Sequence, residues 1–470
     1  MCIEIINFAL PFDFLFSVGT MVMKDSIDFE HTDISKLFYS LLFPTLFGMV
    51  FSAMFVITDG VFVGQGIGSD ALAAINIASP LFMVTTGMGL MFGIGASVVA
   101  GIHLSHGKRK AANINMTQAM LVSTLLTLFF SVTILLFLNE VGVLLGSSAE
   151  LLPDVVTYMK WFIPGLIGYL ILNAGMFFIR LDGAPKFAML CNVLAALINI
   201  FFDYLFIFVF KWGLMGAAFA TTLGTGIGAM MVLVYFFFFS RTLSFCKIKA
   251  SRKSMLLTVR NVGYMVKLGS SGLISELAIA YMMLIGNYVF MHYVGEDGVA
   301  AFSIICYLLP IVFMMYNAVA QSAQPIISYN WGLKNYGRIS STVRISLQTA
   351  LTYSIVFFVF ICFGGEFLVS WFVDARYPAY DLATEGLFYF ALGCFFLAFN
   401  IVSTGYYQSI GRARRATVIT VLRGFVFLTV GFLGLPRIGG VTGIWLAVPF
   451  AEVATSLYVI CLVLKRRFSV

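Results

Sequence analysis

Long apolar runs, interrupted at near-regular intervals by short polar stretches, dominate the chain from residue 37 to residue 464. A run of roughly 20 mostly apolar residues, wound as a helix, crosses the hydrocarbon core of a bilayer. The pattern predicts such helices at Leu37–Val63, Ala71–Leu104, Ala112–Leu138, Leu151–Ile179, Phe187–Phe210 and Leu214–Phe239. A second set follows at Val262–Met291, Val299–Tyr329, Ile339–Phe363, Tyr380–Ser409, Ala416–Leu435 and Val441–Leu464, twelve in all. The expected fold is an all-α polytopic membrane protein.

The pattern repeats itself. Asp70-Ala-Leu-Ala-Ala returns as Asp297-Gly-Val-Ala-Ala, Gly213-Leu-Met-Gly returns as Gly440-Val-Thr-Gly, and Asn173 falls on Asn400, each displaced by 227 residues. An even number of spans per copy inserts both copies the same way round. The expectation is two pseudo-symmetric six-helix bundles, parallel repeats about an axis along the membrane normal, with the substrate path between them. The segments are then residues 1–33 (an N-terminal extension), 34–239 (N-lobe), 240–261 (linker), 262–465 (C-lobe) and 466–470 (tail). Met21 and Met23 stand just before the first polar segment, and the expected translation start is near Met23.

Composition supports the membrane reading and removes other classes. The chain is 61% hydrophobic and 10% charged, which no soluble globular domain shows. Its seven scattered cysteines indicate neither a disulfide framework nor a zinc site. The net charge of +7 is topological and does not point to nucleic acid. Lys108 to Lys110, Arg180 and Lys186, Arg241 to Arg260, Lys334 and Arg338, and Arg412 to Arg415 fall on one set of alternate connections. The other set holds Lys211, Arg376 and Arg437 among acids such as Glu140, Glu296 and Asp374. The basic side is expected to be cytoplasmic, with both termini inside.

Candidate chemistry lies in the ionisable and amide side chains inside the runs. Asn192, Asn199 and Asp203 share one helix face at spacings of seven and four. An acid within a membrane helix marks a functional site by default, because in lipid it needs protein, water or an ion beside it. Helix rise puts Asp203 and Thr221 roughly 12 Å, and Asp59 roughly 7 Å, from the outer end of their helices. Asp59, Asn199, Asp203 and Thr221 are therefore expected to meet, offering hard oxygen ligands to Na+ or a carboxyl to a proton. Asp59-Gly60 ahead of Gly64, Gly66 and Gly68 also reads as a helix end. Glu276, near the midplane of the seventh helix, is a candidate for a cationic substrate, and Glu452 with Arg423 reads as an internal ion pair. No nucleophile–base constellation is visible, so an enzyme is not expected.

Several stretches together resemble the multidrug and toxic compound extrusion (MATE) family, in its DinF-like and MepA-like branch. They are Pro44 through Asp59-Gly-Val-Phe-Val-Gly-Gln-Gly-Ile-Gly, Gly87 to Gly107, Arg180-Leu-Asp-Gly-Ala-Pro-Lys, Asn199-x-x-x-Asp203, Gly216-Ala-Ala-Phe-Ala-Thr-Thr and Tyr329-Asn-Trp-Gly. The resemblance implies two lobes around a V-shaped cleft that alternates between inward and outward openings in a bacterial cytoplasmic (inner) membrane. It implies export of cationic or aromatic small molecules in exchange for Na+ or H+, with no other cofactor and as a monomer. It maps a cation site onto Asp59, Asn199, Asp203 and Thr221, and substrate contacts onto Asn173 and Glu276. The spacing around Glu276 departs from the NorM-like pattern. The alternative is a lipid-linked oligosaccharide or metabolite flippase of the wider superfamily. A pyrophosphate cleft needs many basic residues, and the intramembrane ones read here are chiefly Lys160 and Arg423.

Overall fold

The computed structural model describes residues 27–248 and 251–467; Met1, Met21, Met23 and the side chains of the 466–470 tail lie outside the described residues. The first lobe contains α1 (Ile34–Gly66), α2 (Ser69–Ser105), α3 (Arg109–Leu136), a short α4 (Leu138–Leu144), α5 (Leu152–Phe162), α6 (Gly165–Leu181), α7 (Pro185–Asp203) and α8 (Gly213–Val234). The second contains α9 (Arg252–Tyr293), α10 (Glu296–Gly332), α11 (Tyr336–Ser370), α12 (Pro378–Ser409), α13 (Ala413–Val421), α14 (Phe427–Gly434), a short α15 (Pro436–Trp445) and α16 (Ala447–Arg467). Eleven continuous helices among the described residues are long and apolar enough to span a bilayer, and the pair α5–α6 makes a twelfth.

Three departures from the apolar pattern have physical causes. The expected span Leu151–Ile179 is broken, and its halves α5 and α6 meet at 52°. Pro164 sits at the break, where its ring and missing N–H weaken the hydrogen-bond ladder. The stretch read as a linker to residue 261 is helical from Arg252 onward. Hydropathy detects only the lipid-immersed part of a helix, and here the helix runs on into polar surroundings from its cap, where Ser251 Oγ accepts from the Ser254 N–H at 3.2 Å. Wide π-helical turns extend α7 (Tyr204–Val209) and α8 (Tyr235–Phe239) and join α13 to α14 (Leu422–Val426).

The backbone carries the internal repeat. α1 and α9 end at Gly66 and Tyr293, and α2 and α10 begin at Ser69 and Glu296, each 227 residues apart. Left-handed residues recur at the same displacement: Gly68 with Gly295 before those second helices, Gly107 with Lys334 after them, and Gly213 with Gly440. Across the lobes, Gln324 Nε2 donates to Ser97 Oγ at 2.6 Å, and these residues are themselves 227 apart. The pseudo-twofold axis therefore passes between α2 and α10.

The lobes meet most closely where α2 crosses α9. A Cβ on Gly95 would collide with the carbonyl of Met265, and one on Gly269 with the carbonyl of Met91. Glycine at both places lets the two backbones touch. Outward from this seam, side chains such as Phe129, Leu136 and Phe363 are exposed, as a lipid-facing surface requires.

Candidate functional site

The N-lobe has two separate apolar clusters. One contains Ala195 of α7 and Met231 of α8; the other contains Ile207, Ala217 and Ala218. Between them lie Asn199, Asp203, Thr221 and Thr225, all buried. A polar layer splitting an apolar bundle costs stability unless each group finds a partner, so its partners define the site.

Asp59 of α1 and Asp203 of α7 face each other with their carboxyl groups in hydrogen-bond reach. One buried oxygen of each, Oδ1 in both cases, has no partner among the described residues. The Asn199 amide, one helical turn before Asp203, lies 3.0 Å from Asp203 Oδ2 and 3.2 Å from the Thr221 nitrogen, and it satisfies both when Nδ2 is turned to donate to the carboxylate and Oδ1 to accept from the Thr221 N–H. The Thr221 hydroxyl lies 3.3 Å from the Asn199 amide and 3.2 Å from the Ala217 carbonyl. The four residues read as a cation site are thus brought together from α1, α7 and α8.

Asn199 and Thr221 also line a cavity of about 220 Å³ between the lobes. Asn173 and Glu276, the two candidate substrate contacts, line the same cavity, as does Asn192. Asn173 donates to the Tyr169 carbonyl at 3.3 Å. No hydrogen bond or ion pair involves Glu276 among the described residues. Phe55, Phe82, Phe313 and Met314 supply the apolar walls. The lining is greasy with a few directional polar groups, the composition of an adaptable small-molecule pocket.

Two side chains at this cavity escaped the sequence reading. Arg180, expected in a connection beside Lys186, is instead in the last turn of α6, 5% exposed, on the cavity wall. The connection is only Asp182 to Ala184, because Gly183 at φ +88° and Pro185 at the start of α7 turn the chain at once. The signal was present as a stripe: Tyr169, Asn173, Met176 and Arg180 follow at spacings of four, three and four. The second is Gln321 of α10, whose Oε1 accepts from Arg180 Nη2 at 3.0 Å across the lobe boundary. Asp182 faces away from the cavity. Its carboxylate accepts from Tyr235 Oη (2.7 Å), from the N–H groups of Arg241, Thr242 and Leu243 (2.8, 2.8 and 2.9 Å), and from the Thr242 hydroxyl.

The C-lobe has a different buried polar cluster. Arg423 Nε lies 3.4 Å from Glu452 Oε1, both side chains nearly inaccessible. Asn400 donates to Glu452 Oε2 at 2.7 Å, and Ser456 donates to Asn400 Oδ1 at 3.1 Å. This is the internal ion pair that the sequence indicated, with Asn400, the repeat partner of Asn173, completing it.

The MatE family profile matches the chain twice, at residues 44–205 and 273–433. The chain belongs to the MatE family. The two matched segments begin 229 residues apart, at 44 and 273, and each covers the first five spans of one lobe, so the family unit occurs twice in this chain. Among curated relatives, the multidrug export protein MepA of Staphylococcus aureus (strain bovine RF122 / ET3-1) is 23% identical over 428 residues, covering 90% of this chain and 92% of the relative. MepA of Staphylococcus haemolyticus (strain JCSC1435) is 24% identical over 457 residues, covering 95% and 97%. An outward-facing multidrug resistance MATE family transporter of the MOP superfamily superposes with a TM-score of 0.86 at 18% identity, covering 94% of this chain and 98% of that one. A mutant of the Vibrio cholerae MATE transporter VcmN gives 0.85 at 18% identity, with 93% and 98% covered. The MatE fold therefore extends over nearly the whole chain.

Proposed function

We propose that this MatE protein is a secondary transporter that exports small cationic and aromatic molecules in exchange for protons or sodium. The observation that carries the reading is the Asp59–Asp203 pair, with an unpartnered buried oxygen on each carboxyl. Two carboxylates in hydrogen-bond reach, away from water, repel unless a proton or cation sits between them. Filling the site draws α1 and α7 together; emptying it pushes them apart. Asn199 and Thr221 supply the further oxygens a sodium ion needs. Because these two residues also face the cavity, a change in α1–α7 packing alters the walls that hold the substrate. A coupling ion acts this way only if it favours one of two lobe arrangements.

Glu276 offers the carboxylate for a cationic group, Asn173 an amide beside it, and the aromatic walls take the rest of the molecule. The curated relatives are named as multidrug exporters, which fits a pocket of this composition. The face carrying the 240–251 connection, rich in basic residues, is read as cytoplasmic, and on this reading both termini lie inside, in a bacterial inner membrane; we take the transporting unit to be a monomer. The flippase alternative is not favoured, because among the described residues the cavity presents a single guanidinium, Arg180, and a carboxylate, Glu276, too little positive charge for a pyrophosphate.

The test is dye efflux from proteoliposomes with pH and sodium gradients imposed separately, on the wild type and Asp203→Asn. One gradient should drive efflux, naming the ion, and the variant should abolish that drive. Efflux that ignores both gradients, or persists in Asp203→Asn, refutes the coupling site.

A further inference from the structure

Arg423 lines two small cavities in the C-lobe, each of about 40 Å³. It shares one with Glu452. It shares the other with Glu276, and that one adjoins the interlobe cavity through Leu90, Asn317 and Gln321. One guanidinium therefore has two carboxylates within its surroundings, and Glu276 is the candidate anchor for a cationic substrate. The helices are close here: a Cβ on Gly424 would collide with Ala278, and Ala278 is roughly 3 Å of helix rise from Glu276.

Arg423 is loosely held by the partner it has. Its Nε lies 3.4 Å from Glu452 Oε1, longer than the roughly 2.7–2.9 Å of a charge-assisted hydrogen bond. The remaining N–H donors of its planar fork are uncommitted among the described residues. Glu452 keeps Asn400 as a donor to Oε2 at 2.7 Å whether or not Arg423 stays. Glu276 has neither hydrogen bond nor ion pair among the described residues. The Phe313 ring, 5.2 Å from the guanidinium carbon, lines both small cavities and offers one cation–π surface between them. Arg423 also sits in the π-helical turn Leu422–Val426. Such a turn holds one residue more than an α-helical turn, and relaxing it rotates the side chains it carries by roughly 100°.

We infer that Arg423 exchanges between Glu452 and Glu276, and so acts as a tethered cation that competes with a cationic substrate for the Glu276 carboxylate. The competition rests on the reading of Glu276 as the substrate's carboxylate; the exchange does not. With a cation on Glu276, Arg423 stays on Glu452 and both acids are matched. Without one, two carboxylates share a single guanidinium, and its move to Glu276 opposes rebinding of the released cation.

The probe is ethidium, a permanent cation, bound at equilibrium to the purified full-length protein and read by fluorescence anisotropy, with no ion gradient. Glu452→Gln keeps an acceptor for Asn400 but frees Arg423 for Glu276, so ethidium affinity should fall at least about tenfold. Adding Arg423→Gln removes the competitor, and the double variant should return to the wild-type affinity or better. A loss that persists in the double variant, or no loss in Glu452→Gln, overturns the competition. So does a Glu452→Gln protein that fails to fold while the double variant folds, because Arg423 then has no second partner. The exchange is also read without ligand. Glu276→Gln should lower the melting temperature of Glu452→Gln by about 2 °C, because it removes the partner left to Arg423, and should not lower that of the wild type. If Glu276→Gln alone leaves ethidium affinity at the wild-type value, the substrate reading of Glu276 fails, and the melting comparison decides the exchange by itself: equal shifts in the two backgrounds reject it.

Discussion

Lys334 holds a backbone conformation that its side chain does not favour. Its φ is +58°, in the left-handed region, where the repeat partner Gly107 sits at φ +69°. A residue with a Cβ pays roughly 1 kcal/mol there. Lys334→Gly should therefore raise thermal stability by about 0.5–1 kcal/mol, while Gly107→Ala should lower it by a similar amount; melting curves in detergent check both. At the polar layer the test is chemical. Thr221→Val keeps the shape and removes one oxygen from the proposed ion site, leaving the Ala217 carbonyl with its helical partner. Ion-driven efflux should fall about tenfold with little loss of expression, as expected for one ligand of several; unchanged coupling removes Thr221 from the site. Asp203 and Asn199 were legible because a helix period of 3.6 converts their spacing into a shared face. Arg180 was not, because charge patterning assigns every basic residue near a turn to solvent, and only the compactness of the Asp182–Ala184 turn keeps it inside.

Helices, unlike single residues, are positioned by what they touch, and the α2–α9 crossing is the tightest contact between the lobes. Gly269→Ala places a methyl against the Met91 carbonyl, a backbone atom with nowhere to move. The expected cost is about 3 kcal/mol, the upper end for overpacking. Gly263→Ala on the same helix meets nothing within 4 Å and should be neutral or stabilising by up to about 1 kcal/mol. Thermal denaturation of the two variants side by side separates seam packing from helix propensity. Hydropathy alone could place α2 and α9 in the membrane but could not pair them, since glycine contacts are made between distant segments. It likewise passed over the break at Pro164, because apolar residues continue on both sides. The π-helical turns after Asp203 and around Arg423 left no hydropathy signal either. Repetition was easier to see, because the left-handed turns at Gly68, Gly213, Gly295 and Gly440 require the same residue in each copy.

For the whole molecule, the distribution of cross-lobe bonds decides which way the cleft is closed. Arg180 with Gln321, Gln324 with Ser97, and His106 Nε2 with the Gly332 carbonyl at 2.9 Å all lie toward the face that carries the 240–251 connection. On the same face, residues ahead of α1 strap the lobes together. Ile27 packs on Gly183 of the N-lobe, while the Phe29 carbonyl accepts from Asn330 at 3.2 Å and from Arg338 at 3.1 Å, and the Thr32 carbonyl accepts from Arg338 at 2.7 Å. Each such bond contributes about 0.5–1.5 kcal/mol net, more where a charge takes part. They act on a two-state equilibrium in which about 1.4 kcal/mol is a tenfold change in population. Gln324→Ala removes the bonds to Ser97 Oγ (2.6 Å) and the Ile94 carbonyl (3.4 Å) near the pseudo-twofold axis, and Arg338→Ala releases the strap. Together they should shift the balance toward opening on this face by roughly tenfold to a hundredfold, since the sites are separate enough to add. Spin labels placed on the loops after α2 and α10 report the result as a longer distance population at this face. If the distances do not move, the closed face is held by the apolar α2–α9 seam rather than by its polar bonds, and the proposed coupling site would then have to act on helix packing at that seam.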